Sequence, residues 1–502
     1  MPDLNTLTAE AREAMKASEF QSLWECPIMS FPDEIMLQIL EHATHIPELE
    51  FRDLDGSFQK SLFLARVVDM KNLAWTCRRF RRLATPFLYS WLPVGHSNAS
   101  TLLLHRTLKE DPSLRPLCKS LVIISSEPAL DAAREDILSF LGTTIRSLHI
   151  QNIGTPANAP TPPRMHAWNQ VRATLPKMCQ LERLILSEDG DGVGVLGLVK
   201  TSIYSLFQGG FPPSLRQLRV HDGGRQSLQR RSFLPTPLKD ARPKTAPFTD
   251  LSVRSFQGPA CFDELIRWPA TLKKLTIEEL GQGRHPPVLN LRQIWSHAMV
   301  HCQCLTHLRV GNLVLESMAD LDRALFHVDF SYFTSLASLS LSLSATGTNP
   351  DRAAKLIAPR LETFEWTFPE PTVPDGPYLN SFAWREEEFL RRFAREAVEK
   401  QPDPRALRRI KVDFVPTLRF DPRSLLQPMY LSGLTAQPSY QSSLHASYEY
   451  PWDRLDRIAE EVLGHGIRLV YNKPAMTKAE FEEYQGNFRG TRGHQATGVT
   501  TI

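Results

Sequence analysis

One pattern governs what this chain can fold into: a six-residue unit, with apolar residues at its first, fourth and sixth positions, recurs ten times. The copies are CKSLVI (118–123), IRSLHI (145–150), LERLIL (181–186), LRQLRV (215–220) and FTDLSV (248–253). The series continues as LKKLTI (272–277), LTHLRV (305–310), LASLSL (336–341), LETFEW (361–366) and LRRIKV (407–412). Successive copies start 24 to 46 residues apart. Internal repetition on this scale specifies a stack of like units, none of which buries its apolar face alone.

The last two apolar positions of each unit alternate as a strand does. Helical spacing fills the intervals: Trp168, Val171 and Leu175; Leu291, Ile294, Trp295 and Ala298; Phe389, Leu390, Phe393 and Ala394. Each unit therefore reads as helix, turn, short strand. Stacked, they give an α/β solenoid with short parallel strands inside and helices outside, expected over residues 93–471. Its close is PWDRLDRIAEEVLGHGIRLVY, where Leu455, Ile458, Ala459, Val462 and Leu463 mark a helix, Gly464 and Gly466 end it, and Ile467–Tyr471 is a last strand. Residues 472–502 are polar and expected to be a disordered tail. TPANAPTPPR (155–164) and residues 221–247 read as insertions, the second carrying six Arg/Lys against two Asp. Loops of that length are disordered or functional; the second would suit an acidic partner or nuclear import.

Ahead of the array, residues 1–28 read as a disordered polar leader and 29–92 as a compact helical segment. In SFPDEIMLQILEHA, Ser30 with Asp33 fits a helix cap, and Pro32 stands where a missing amide hydrogen costs nothing. Ile35, Met36, Ile39, Leu40 and Ala43 then form one apolar stripe. A second helix is expected over MKNLAWTCRRFRRLATPFLYSWL, with Leu73, Cys77, Phe80 and Leu83/Ala84 on one face. The stretch 45–69 connects the two, and its second half, FQKSLFLARVVDM, has helical character. Arg78, Arg79, Arg81 and Arg82 mostly face solvent; with Lys71 they give residues 71–92 a charge of +5 and no acid. Such a face can touch nucleic acid, but solvated helices carry it as readily, so nucleic acid is not the expected partner.

The helical segment resembles the F-box family, whose pattern is Leu-Pro-x-Glu-Ile/Leu opening one helix and Leu-x-x-Val-Cys-Arg/Lys-x-Phe/Trp on a later one. Here they stand as Phe31-Pro32-Asp33-Glu34-Ile35 and Leu73-Ala74-Trp75-Thr76-Cys77-Arg78-Arg79-Phe80. Phe31 replaces the usual Leu, Thr76 the usual Val, and the connection is longer than in the family. The array resembles leucine-rich repeats, of the divergent kind found in filamentous fungal F-box proteins. It lacks the Asn or Cys that usually follows the strand, Leu313 and Leu280 standing at that position after two units. The resemblance implies a substrate-recognition subunit of a Skp–cullin–F-box ubiquitin ligase, in the cytoplasm or nucleus. Phe31, Pro32, Ile35, Ile39, Leu40, Leu73, Cys77 and Phe80 would then face the Skp-family adaptor, which links to a cullin, or hold the box together. The repeats would capture a protein substrate. The alternatives are a helical cap packed on the first repeat of a scaffold, and an F-box protein acting outside ubiquitin ligation.

Composition sets the outer limits. A formal net charge of +3 gives no chain-wide field for nucleic acid or membrane. The start lacks the continuous apolar stretch of a signal peptide, and no apolar run approaches 18 residues, so no membrane partner is expected. The seven cysteines are odd in number and scattered, as in a reducing compartment. Gly192-Val193-Gly194-Val195-Leu196-Gly197 imitates a dinucleotide fingerprint, with Asp222 as a ribose-binding acid. Its first glycine falls six residues past the strand end at Leu186, and Glu188, Asp189 and Asp191 would repel a pyrophosphate, so an inter-repeat loop is expected. His301, Cys302, Cys304 and His307 have zinc-ligand chemistry, but neighbouring positions strain a tetrahedral site, and packing at a strand entrance is expected instead. No catalytic constellation is found; the chain is expected to be no enzyme, with no metal and no cofactor.

Overall fold

Apolar residues at alternate positions commit a strand to one buried and one polar face, and all ten repeat units obey. A computed structural model describes residues 31–44, 67–95, 98–124, 131–151, 171–187, 203–207, 209–221, 243–254, 259–278, 290–311, 313, 328–368, 382, 384–403, 406–414, 449–474 and 476–483. The strands are β1 (Trp91–Val94), β2 (Ser120–Ile124), β3 (Ser147–Gln151), β4 (Arg183–Ser187), β5 (Gln217–His221) and β6 (Asp250–Arg254). Next come β7 (Lys274–Glu278), β8 (His307–Val310), β9 (Ser338–Ser342), β10 (Thr363–Thr367), β11 (Arg409–Asp413) and β12 (Arg468–Tyr471). Strand order in the sheet is chain order, β1 to β12, and the strands are parallel. Both strand apolars of every repeat unit are buried, and so is the first apolar residue, from Cys118 to Leu407.

The chain forms two compact units, Met1–Leu148 and His149–Ile502, divided within β3. The first holds α1 (Asp33–Thr44), a helical stretch at 67–76, α2 (Arg78–Ser90), α3 (Asn98–Glu110) and α4 (Asp131–Leu141). The single helix expected over 70–92 is broken. Cys77 takes an extended backbone (φ −159°, ψ 169°) and caps α2, its Sγ accepting from the Phe80 amide at 3.5 Å. The end of that sequence is also not helical: Trp91 and Leu92 open β1, which pairs with β2 from Trp91↔Ser120 to Val94↔Ile123. No repeat unit announces β1, so it escaped the sequence reading.

In the second unit β4 through β11 pair in unbroken register, and β11 pairs with β12. One bonding device recurs at the strand entrances. The Glu182 carbonyl accepts from the amides of Arg216 and Gln217, Arg216 accepts from Thr249 and Asp250, and Thr249 accepts from Lys273 and Lys274. The same doubled clip continues through Lys273, Thr306, Ala337 and Glu362, so each repeat seats the next before its strand begins. Parallel strands need crossovers, supplied in part by α5 (Pro259–Arg267), α6 (Leu291–Ala298), α7 (Trp384–Lys400) and α8 (Pro451–Leu463). Helix α6 begins with a reciprocal cap: Asn290 Oδ1 accepts from the Gln293 amide and Gln293 Oε1 from the Asn290 amide, each at 2.9 Å. Its Leu291, Ile294 and Ala298 are buried, as are Phe389, Leu390, Phe393 and Ala394 of α7. Ring contacts join α7 to the sheet: Phe393 lies 4.3 Å from Phe364 and Phe389 4.7 Å from Trp366, centroid to centroid.

The array closes as expected with α8 and β12, but order continues past residue 471. Asn472 brackets Phe414, accepting from its amide and donating to its carbonyl. The Tyr450 hydroxyl donates to the Met476 carbonyl, and Lys478 pairs with Asp453. The expected tail is thereby corrected as far as residue 483. The 221–247 insertion is likewise tied at its end, where Thr245 and Ala246 donate to Trp268 O and Ala246 bridges Pro269. The leader 1–28, most of the 45–69 connection, residues 155–164, Trp168, the glycine motif at 192–197, Asp222 and the rest of that insertion lie outside the described residues. None of the described helices is long and apolar enough to cross a membrane.

Candidate partner-docking site

Helix α1 divides its apolar residues between two directions. Met36 and Leu40 are buried with Met70, Leu83 and Ala84, and Leu37, Leu73, Ala74, Phe80, Phe87 and Leu88 pack around them. Phe31 stands two residues ahead of α1, and Ile35 and Ile39, four apart, lie one above the other on it. They are 43%, 40% and 41% exposed. A second outward line stands on the 67–76 stretch, seven residues apart: Val68 at 52% and Trp75 at 74%. The Lys71 ammonium lies 4.6 Å from the Trp75 ring centroid. Large apolar side chains held out in a line are what a partner groove covers.

Charge fixes how α1 meets α2. Arg79 Nε reaches Asp33 Oδ1 at 2.8 Å, Arg82 pairs with the other Asp33 oxygen, and Arg79 Nη2 donates to the Phe31 carbonyl at 2.5 Å. Two of the four arginines expected to face solvent thus clamp the start of α1, and they orient Phe31 and Pro32 in doing so. Arg78 and Arg81 remain exposed. Of the eight residues assigned to the adaptor from sequence, Phe31, Pro32, Ile35 and Ile39 are exposed and Leu40 lies in the core. Leu73 and Phe80 are half-buried against that core, and Cys77 is a cap. Val68 and Trp75 were missed: a stripe drawn through Leu73 and Cys77 hides the line that begins at Val68.

The polar face of the sheet carries its own pattern. Register sets Arg219 between Ile185 and Ser252, and His221 between Ser187 and Arg254. Arg254 has Glu278 beside it on β7, and His149 Nε2 lies 2.7 Å from Ser187 Oγ. Burial and the nearby Arg219 push His149 down to about 4. Burial, then His149, Arg254 and Arg219, push His221 down to about 3. Further along the sheet Glu365 meets Lys411 at 2.6 Å and Arg309 at 3.8 Å. Burial alone would raise the Glu365 carboxyl, yet these cations and the Lys411 hydrogen bond hold it below its usual range.

Of the four residues with zinc-ligand chemistry, His301 and Cys304 serve packing, and His307 is exposed. His301 is buried with Nε2 donating to the Ile266 carbonyl at 2.7 Å, and Cys304 Sγ points to the Leu272 carbonyl at 3.4 Å. No group of three or more potential ligands converges among the described residues. Burial pushes the Cys118 thiol up to about 11, as for a core thiol rather than a nucleophile.

Fold and sites together define an α/β protein with a twelve-stranded parallel sheet of repeated units and an N-terminal helical segment. No protein-family model matches the chain, and no curated protein matches it.

Proposed function

We propose that this protein is the substrate-recognition subunit of a Skp–cullin–F-box ubiquitin ligase, working in the cytoplasm or nucleus. The helical segment is its F-box and the repeats are a leucine-rich-repeat-like solenoid. The observation that carries this reading is the outward pair Ile35 and Ile39, with Phe31 just ahead of the same helix, whose other side, Met36 and Leu40, is already used by the segment's own core. Full burial of such a side chain contributes roughly 1.5–3 kcal/mol; these three are already more than half covered, so covering the rest contributes roughly 2–4 kcal/mol in all, and the docking surface must extend beyond them. The chain itself supplies no catalytic group in this reading; it holds a protein substrate near a ligase's charged ubiquitin carrier and raises its effective concentration there.

The test is co-purification of a Skp-family adaptor with the full chain and with Ile35→Asp/Ile39→Asp. Both positions are exposed, so the variant is expected to keep the far-ultraviolet dichroism and melting temperature of the parent while losing the adaptor. A well-folded parent that captures no adaptor sinks the ligase reading and leaves a repeat scaffold.

A further inference from the structure

We infer that the outer edge of β12 binds an extended acidic segment of a partner protein, which adds to the sheet as a further strand and sets its carboxylates against Arg408, Arg409 and Arg468. Three observations carry it. The first is the edge itself: among the described residues β12 has β11 as its one neighbour, whereas each of β4–β11 has two. The Arg468 amide donates to the Arg408 carbonyl, and successive peptide groups of a strand point to opposite sides. Leu469 and Tyr471 therefore turn their N–H and C=O groups away from β11, and no hydrogen bond from another described residue meets them there. The second is exposure. The fourth residue of every repeat unit, from Leu121 to Ile410, is 0–2% exposed, whereas Leu469, its equivalent on β12, is 8% exposed. Val470, beside Lys411 on the polar face, is an apolar residue left half-buried for an added strand to cover.

The third is charge. Register sets Arg409 beside Arg468, Arg408 comes just before, and all three are exposed. No ion pair engages any of them among the described residues. Glu362 is the acid on this rim, its carbonyl accepting from the Arg408 and Arg409 amides, and its one carboxylate leaves the three arginines in excess. Asp403 has an interaction of its own, and Asp456 accepts from the Tyr471 hydroxyl. Asp413 stands at the far end of β11, about 13 Å from Arg409 at the rise of a strand. An extended polypeptide answers edge and charge together: its amides and carbonyls pair with Leu469 and Tyr471, and its carboxylates take the forked guanidinium donors. A nucleic acid has no peptide groups for the edge. A second copy would bring Arg468-Leu469-Val470-Tyr471, with another arginine and no acid. The arginines that keep a basic strand off this edge thus select an acidic one.

Only the naming of that partner as the substrate rests on the proposed function; the edge belongs to the second unit and its test needs no adaptor. The probes are two fluorescein-labelled octapeptides of one composition, Glu-Glu-Thr-Val-Thr-Val-Thr-Val and the same residues with the glutamates last, titrated onto the full chain by anisotropy. One order is expected to bind about fivefold or more tighter than the other; glutamates first means a parallel strand, last an antiparallel one. N-methylation of the tighter peptide at alternate residues is expected to abolish binding in one phase and spare it in the other, since a strand presents every second amide to its neighbour. Arg409→Glu/Arg468→Glu is expected to lose about tenfold or more in affinity for that peptide and to bind its lysine counterpart instead. Lys273→Glu, on the same rim at the entrance of β7, is expected to change affinity less than about twofold. Should the charge-reversed variant lose its fold, Arg409→Gln/Arg468→Gln replaces it, with the same loss expected. Ile35→Asp/Ile39→Asp is expected to bind peptide as the parent does, which separates this edge from adaptor docking. Absence of peptide binding, equal binding of the two orders, an equal effect of the two methylation phases, an equal loss in Lys273→Glu, or a single-stranded RNA bound more tightly than either peptide overturns the inference.

Discussion

Single side chains at the repeat junctions do work that no stripe of leucines reveals. Gln401 is buried; its Nε2 donates to the carbonyls of Ala358 and Leu361 at 3.0 Å, and its Oε1 accepts from the Leu407 amide at 3.0 Å. Gln401→Leu keeps the approximate volume but strands backbone groups, at a cost of about 2–4 kcal/mol. Urea denaturation checks this, and a loss under about 0.5 kcal/mol would deny the side chain that role. His149 and His221 give a second residue-level expectation. Their folded pKa values, about 4 and about 3, lie below the ordinary 6.5, so the unfolded chain binds more protons across that interval. Their contribution to stability is present above about pH 6.5 and is lost as pH falls toward 4. Melting temperature should decline from pH 7 to 5, and His149→Asn/His221→Asn should flatten that decline; an unchanged slope would refute the assignment. The outward placement of Arg219 was legible in the sequence, since it is the variable residue between two strand apolars. Its proximity to Arg254 was not, because lateral neighbours 35 positions apart depend on register.

At the scale of elements, hydrophobic periodicity located all ten repeat strands and the helices α6, α7 and α8, since each signal is local and each face is mostly buried, Leu463 at the end of α8 being the exposed exception. It failed where local and tertiary demands part. Leu73, Cys77 and Phe80 keep a helical spacing, yet the chain leaves the helix at Cys77, and a thiol acts as the cap of α2. Sulfur accepts hydrogen bonds weakly, and the four residues after it include three arginines, which oppose the helix dipole at that end. Cys77→Asp should therefore strengthen the cap on both counts, by about 0.5–2 kcal/mol. Thermal denaturation would read this as a raised midpoint for the first unit; a lowered midpoint would mean that Cys77 contributes through packing instead. β1 was missed for the opposite reason. WLPV is too short to show a period, and it becomes a strand because β2 offers it an edge.

For the molecule as a whole, a sheet in chain order must be ended as well as extended, because an uncovered edge strand invites pairing with another chain. The second unit ends with α8, β12 and the segment through residue 483. β12 covers β11 from Arg409↔Arg468 to Val412↔Tyr471, while Trp452 of α8 packs on Phe414 at 5.4 Å. Charge joins α8 to α7: Glu387, with a side chain 4% exposed, receives Arg454 Nη1 at 2.8 Å, Arg457 Nε at 2.8 Å and Arg391 Nη2 at 2.5 Å. Burial would raise that carboxyl, yet the hydrogen bonds from Arg457 and Arg454 hold it below its usual range. Removing residues 449–502 therefore uncovers the β11 edge, takes Trp452 from Phe414 and leaves it Phe368 and Phe382, and leaves Glu387 buried with one guanidinium in place of three. A shortened chain ending at 448 is expected to aggregate on expression, whereas one ending at 483 should melt within about 2 °C of the parent, since mutations away from such features change stability little. Light scattering and calorimetry on the two truncations make the comparison. Glu387→Gln in the full chain separates the causes: it removes the charge but keeps the edge covered, so it should lower stability without aggregation. If the chain ending at 448 stays monomeric with the parent's melting temperature, the closing segment is an ornament and the array is held by its repeats alone.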